Sequence, residues 1–190
     1  MTTAFVLGNG QSRKDINLAE LNRHGKIYGC NALYRDYVPD VLIAVDKKIS
    51  EQIQNNGYAQ RHRLYTRRPL PGLGAKRVPE HYWGFSSGQI AMAIAAADGN
   101  RSIYLLGFDL GSTDNRFNNV YADSEFYKKS SDRPTFSGNW IKQTVQIAKD
   151  YRDLTFVRVT GPATAKVNEF DSVHNIQHIT IQEFSAKFGI

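Results

Sequence analysis

The sequence has a single cysteine, Cys30, in 190 residues. One thiol closes no internal disulfide and builds no cysteine cage for zinc. This excludes a disulfide-stapled secreted scaffold and a zinc ribbon, and it points to a reducing compartment. Long apolar runs are missing too. The longest nearly uncharged one, residues 90–97, falls far short of the ~20 residues a membrane-spanning helix needs. The start Met1-Thr2-Thr3 places no charged stretch ahead of an apolar one, so neither a membrane span nor an export signal is expected and the reading is a cytoplasmic protein. There is no internal repeat and no low-complexity tail. With 41% hydrophobic and 12% aromatic residues, the chain suits one compact α/β domain over 1–190 rather than two.

Acid is scarce in one place. The 24 Lys and Arg against 18 Asp and Glu leave a formal charge of +6, and Arg61, Arg63, Arg67, Arg68, Lys76 and Arg77 meet no acid between 61 and 77. Such a segment attracts nucleic acid, phosphorylated ligands or an anionic surface, or is simply a solvated basic face.

What is present alternates. Short apolar segments at 4–7, 26–29, 41–45, 63–66, 102–106 and 155–159 read as strands, separated by helix-like stretches, which predicts a Rossmann-like fold: a mostly parallel sheet with helices on both faces. The spacing predicts a buried helix over 88–98, capped by Ser86 or Ser87 and stopped by Gly99, and a second helix over 139–151. A third starts at the capping box Thr180-Ile-Gln-Glu183. Two long connections remain as candidate lids: the basic segment with Pro69, Pro71 and Pro79, and residues 111–137, rich in Asp, Asn, Ser and Tyr.

Five clusters close these apolar elements. Gly8-Asn9-Gly10-Gln11-Ser12 follows the first strand, where glycines admit a ligand to the backbone and free N–H groups cradle phosphate. The further glycine of a dinucleotide fingerprint is absent, so an NAD site is a poor fit. Cys30-Asn31 ends the second strand with an amide that donates and accepts, suited to a base edge, a phosphate or a helix cap. Asp46 follows the third strand as a ribose or cation ligand, or as the cap of a helix over 47–54. Ser86-Ser87-Gly88 opens the buried helix, where hydroxyls, unpaired amides and the helix dipole make an anion site. Gly107-Phe108-Asp109 ends the 102–106 strand with a glycine and a carboxylate, or with an ordinary exposed turn acid.

In order and approximate spacing, Gly8-Asn9-Gly10-x-Ser12, Cys30-Asn31, Ser86-Ser87-Gly88 and Leu106-Gly107-Phe108-Asp109 resemble the bacterial CMP-sialic-acid-dependent sialyltransferases. Those enzymes carry Gly-Asn-Gly-Pro-Ser, Cys-Asn, Ser-Gly and Gly-Ile-Asp motifs around a cytidine nucleotide. The outline is similar to a wider superfamily with the motility accessory factors and the hydroxymethylpterin diphosphokinases, and to short phage proteins. It spans about residues 4–110. The resemblance implies that Asn9 and Asn31 sit near the nucleotide phosphates or base, Ser87 and Gly88 at the nucleotide, Gly107 and Asp109 under cytidine and ribose, and Asp46 at another polar contact. Tyr121 and Tyr127 fall in a loop where the family uses tyrosines to help phosphate leave. Gln11 replaces the motif's proline, and no histidine lies between 102 and 155, where the family places its base.

The leading expectation is therefore a nucleotide-sugar-dependent glycosyltransferase, CMP-linked donor favoured, with no required cofactor and an acceptor the sequence does not name. Of the 5 histidines, His174 is expected as the base, because imidazole titrates near neutrality and its loop follows the 155–159 strand, with Asp109 as its competitor. Mg²⁺ enters only in a diphosphokinase-like reaction, with Asp46 and Asp109 as ligands. A non-catalytic nucleotide-sequestering protein is the other alternative. Nucleic-acid binding through 61–77 ranks third, because no nucleic-acid motif accompanies the charge.

Overall fold

Alternation along β1 (Thr3–Leu7) decides the architecture. Ala4 and Val6 point to one side of the sheet and Phe5 and Leu7 to the other, all four fully buried, which is the two-faced burial that forces a strand into the middle of a covered parallel sheet. The computed structural model describes residues 2–190. Seven more strands follow in chain order: β2 (Lys26–Cys30), β3 (Val41–Ile43), β4 (Leu64–Thr66), β5 (Lys76–Arg77), β6 (Ser102–Leu106), β7 (Thr155–Thr160) and β8 (Ile176–Thr180). They form one sheet in the order β5-β4-β3-β2-β1-β6-β7-β8. Every neighbouring pair is parallel.

The chain thus steps outward from β1 to β5, then returns across the sheet to lay β6 on the other side of β1. The β1/β6 junction is the switch point at which open α/β sheets bind ligands, at the carboxyl ends of the strands. The return is made by α3 (Ser87–Ala97), in which nine of the eleven residues are buried. Its alanines let it lie close against β1, β2 and β3, and Gly99 ends it in the left-handed region at φ +87°. The same face is covered by α4 (Gly138–Asp150), and the opposite face by α1 (Leu18–Leu21), α2 (Lys47–Asn55) and α5 (Ile181–Phe188).

The expected strands and helices are all present with ends shifted by one or two residues, and the Thr180–Glu183 capping box forms as read. Sequence reading did not place the two-residue β5, and α1 is a single turn held by Asn17, whose side chain accepts from the amides of Ala19 and Glu20. No helix among the described residues is long and apolar enough to cross a membrane.

The amino edge carries a polar knot. Asp98, at the end of α3, accepts two bonds from Arg63 at 2.7 and 2.9 Å and one from the Tyr28 hydroxyl at 2.8 Å, which Asn100 in turn holds at 3.1 Å. Arg63 therefore finds an acid 35 residues away that the local sequence does not show. Burial works to raise the Asp98 pKa, but the bonds from Arg63 and Tyr28 prevail and hold it below its ordinary 3.8. A folded pKa below the unfolded one gives stability that is complete above the ordinary value and lost as pH falls through the depressed one. The melting temperature of the wild type should accordingly fall more steeply than that of Asp98→Asn below about pH 4, and parallel curves for the two proteins would show that the knot does not act this way.

Candidate functional site

Because all strands are parallel, all their carboxyl ends meet one edge, and a cavity of about 280 Å³ opens there, at the lower end of small-molecule pockets. Four of the clusters reach its wall complete or nearly so: Gly8, Asn9 and Gly10 after β1, Cys30 and Asn31 after β2, Ser86, Ser87 and Gly88 at the start of α3, and Gly107, Phe108 and Asp109 after β6. Asp46, at the start of α2, joins them.

The turns after β1 and β6 are packed back to back. A Cβ on Gly8 would lie 2.5 Å from the Gly107 carbonyl oxygen, and one on Gly10 would lie 2.4 Å from Asp109 Oδ2. Gly107 itself adopts φ +67°. Asp109 is 2% exposed; Oδ2 accepts from the Ser12 amide at 3.0 Å and Oδ1 from the Thr164 hydroxyl at 3.1 Å. Arg158, from β7, is fully buried and donates to the carbonyls of Phe108 and Asp109 at 2.8 Å each and to Ala165 at 3.0 Å. Burial lowers its pKa to about 10, with Asp109 opposing, so it stays a cation at neutral pH.

A second buried guanidinium, Arg13, reaches beneath the first turn and donates to the Gly8 carbonyl, to Asn9 Oδ1 at 3.2 Å and to the Tyr121 hydroxyl at 3.4 Å. A guanidinium only donates, so it fixes the Asn9 amide with oxygen inward and NH₂ outward. The Asn9 NH₂ lies 3.5 Å from the Tyr127 hydroxyl, which also accepts from the Ala32 amide at 3.3 Å. Tyr127 is thereby left with its own proton to donate. Burial raises both phenols, Tyr127 strongly and Tyr121 up to about 12 against the pull of Arg13.

Asn31 is oriented in the same sense. The Val45 amide donates to Ser87 Oγ at 3.1 Å, and Ser87 donates on to Asn31 Oδ1 at 3.0 Å, leaving the Asn31 NH₂ without an acceptor among the described residues. Asn31 and Leu110 are non-glycine residues held at φ +52° on the cavity wall, the kind of backbone strain that persists where surrounding structure enforces it. Ser86 occupies the cap position of α3 without a side-chain cap bond, so its hydroxyl and the first amides of α3 face the same space as the oriented NH₂ groups. This part of the wall presents donors, with the Asp46 carboxylate beside them.

Three expectations are corrected. His174 lies at the opposite, amino edge: it immediately precedes β8, its ring nitrogen sits 3.2 Å from the Arg152 carbonyl, and its neighbour Asn175 is buried while donating to the carbonyls of Ala148, Tyr151 and Leu154. Of these carbonyls Ala148 and Tyr151 end α4 and Leu154 lies in the turn before β7, and parallel entry into β8 dictates the position of His174. Among the described residues no histidine lines the cavity. Ser12 stands beside the cavity and off its wall, its amide spent on Asp109 and its Cβ facing Gly161. The basic segment does not gather at the cavity either: Arg63 is at the amino edge, and only Arg67 lines the wall, tied to the carbonyls of Trp83 and Phe85 at 2.6 and 2.7 Å.

Arg13, Asn118, Asn119 and Trp140 were not singled out in the sequence. The pair Asn118-Asn119 pins the 111–137 connection across the edge, Asn118 accepting from the Gln11 amide at 2.8 Å and the Asn119 carbonyl accepting from the Gln11 side chain at 2.9 Å. Consecutive asparagines in a long loop are a signal of this kind of backbone bridging.

No family model and no curated protein matches the sequence. Among solved structures, the chain is similar to the sialyltransferase CstII from Campylobacter jejuni in complex with a substrate analogue, CMP-3FNeuAc, with a TM-score of 0.57 at 15% identity over 100% of this chain and 99% of that one. It is also similar to a mutant of alpha-2,3/8-sialyltransferase CstII, with a TM-score of 0.50 at 17% identity over 83% of this chain and 81% of the other. The fold is sialyltransferase-like. At these identities the likeness is one of fold.

The Val45–Ser87–Asn31 chain makes a prediction. Ser87 is 4% exposed, and Ser87→Ala leaves the buried Val45 amide unpaired, so urea unfolding should show a loss of about 1–3 kcal/mol. An unchanged midpoint would mean that water replaces the hydroxyl at no cost.

Proposed function

We propose that the chain is a nucleotide-sugar-dependent glycosyltransferase with one nucleotide-binding domain over 1–190, taking a CMP-linked donor with Asn9, Asn31, Ser86, Ser87 and Gly88 around its phosphate, and Gly107 and Asp109 under its nucleoside. One observation carries the reading: two cavity asparagines have their oxygens tied to protein donors, which leaves the Asn31 NH₂ and the second hydrogen of the Asn9 NH₂, beyond its contact to Tyr127, on the same wall as the N-terminus of α3. A wall of donors suits a phosphate ester, whose oxygens only accept. Tyr121 and Tyr127 stand behind Asn9 and off the cavity wall, so they act on it through Asn9 and Arg13, and the fold likeness to CstII bound to CMP-3FNeuAc points the same way.

A Mg²⁺-dependent diphosphokinase is the second reading, separated from the first by the metal dependence of binding. Of the two carboxylates such a site would draw on, Asp109 is held by the Ser12 amide and the Thr164 hydroxyl, which leaves Asp46 as the one without a protein donor. The sequestering alternative gains from the displacement of His174 to the far edge, and consumption of the donor separates the two.

Thermal-shift measurements against CMP, CDP, UDP, GDP and ATP, with and without Mg²⁺, test the reading. CMP is expected to stabilise without metal, by ~2.7 kcal/mol at 100 times its dissociation constant, and stabilisation by ATP with Mg²⁺ alone would refute it. Gly88→Ala sharpens the test. A Cβ there meets only Phe108, at an ordinary 3.6 Å, so the protein accommodates it with stability unchanged or raised by up to ~1 kcal/mol, whereas a phosphate seated on α3 should bind at least about tenfold more weakly. Undiminished CMP binding would move the phosphate away from α3.

A further inference from the structure

A smaller hollow of about 170 Å³ adjoins the main cavity, and the two share Val45, Asp46 and Arg67 as a common wall. Its far side holds Glu51, Arg68 and Trp83. The Trp83 indole is 45% exposed and is held in place, with the Arg67 guanidinium 5.4 Å over its ring and bonded to its carbonyl. An exposed, immobilised aromatic face beside carboxylates and guanidinium groups suits a polyhydroxylated ring, which packs its C–H face on the indole and shares its hydroxyls with charged partners.

Asp46 stands between the two spaces. Its backbone occupies the cap position of α2, yet its carboxylate makes no cap bond and has no protein donor among the described residues. Asp109, the other carboxylate on the main wall, is committed to two donors, and Glu51 faces only the smaller hollow. No histidine among the described residues lines either space.

Resting on the glycosyltransferase reading, we infer that the smaller hollow receives a saccharide acceptor and that Asp46, on the shared wall, is the catalytic residue that takes its proton. The acceptor oxygen forms a bond to the anomeric carbon of the donor as the bond from that carbon to the phosphate oxygen breaks. The electron pair leaves with the nucleotide phosphate, and the hydroxyl proton passes to an Asp46 carboxylate oxygen, which is exposed and returns it to solvent. The base is thus built on the turn after β3.

The test follows release of CMP from CMP-sialic acid, with CMP affinity measured by calorimetry, in the wild type, Asp46→Asn, Trp83→Ala and, as a control remote from the site, His174→Ala. Asp46→Asn should slow release about 10²- to 10⁴-fold while CMP affinity stays within about threefold. Azide, an anion that attacks without losing a proton, should restore release in Asp46→Asn and yield the sugar azide, a rescue that a merely structural defect does not show. With a mixed pool of neutral and sialylated disaccharides as the acceptor probe, Trp83→Ala should divert the sugar from saccharide to water while total release persists. Full activity of Asp46→Asn, or loss of activity in His174→Ala, overturns the assignment of Asp46. Equal partition to saccharide in Trp83→Ala and wild type overturns the assignment of the hollow. A wild type that binds CMP but releases none from the donor overturns the inference and the transferase reading together, in favour of sequestration, whereas failure to bind CMP removes the nucleotide site itself.

Discussion

The close approach of two turns, one after β1 and one after β6, is the constraint on which the rest of the site depends. Two backbones meet so tightly at the switch point that neither Gly8 nor Gly10 has room for a Cβ. Their contact is sealed by backbone bonds from the Gly8 amide to the Leu106 carbonyl at 2.8 Å and from the Gly10 amide to the Gly107 carbonyl at 2.9 Å. Larger residues would push the turns apart and fill part of the cavity across both strand ends, so the same glycines serve packing and access.

Holding the turns requires cations where none pairs with an acid in the usual way. Arg13 and Arg158 are 7% and 2% exposed, and both spend their donors mainly on carbonyl oxygens near the site. Burying a charge costs several kcal/mol unless its hydrogen bonds are satisfied. Here satisfaction comes from carbonyls that the tight turns leave pointing inward. The two positive charges therefore lie behind a wall of outward-facing donors, and their field adds to that of the α3 terminus in favouring an anion.

The fold was largely legible because burial on both faces writes short apolar runs into β1, β2, β3, β6 and β7, and because Gly99 and the Thr180–Glu183 box mark helix ends by local chemistry alone. β5 escaped because Lys76 and Arg77 are exposed edge residues, which carry no apolar pattern and in an edge strand deter further pairing. The strand-end clusters were legible for a topological reason: once all strands are parallel, whatever follows each of them shares an edge. Arg63 misled the reading of the basic segment, since its partner Asp98 is remote in sequence. Arg13 was missed because a single arginine after a glycine turn looks like any surface cation until the turn is seen to close over it.

The error over His174 has a different origin. Chemistry selected it, as imidazole is the commonest base near neutral pH, and chemistry carries no information about edge. Topology does. A residue just before a strand of a parallel sheet stands at the amino edge, and His174 precedes β8 as surely as Asn9 follows β1. Asn175 then anchors that loop to the end of α4 and the turn before β7 through three carbonyls, so folding back over the carboxyl edge would break these buried bonds. The sheet divides its polar groups accordingly: those before strands, such as Asn175, Asn100 and Arg63, tie elements together, while those after strands, such as Asn9, Asn31 and Asp46, meet at the cavity. On the proposed transferase reading, a reacting group belongs among the residues that follow strands, and there the carboxylate without a protein donor is Asp46.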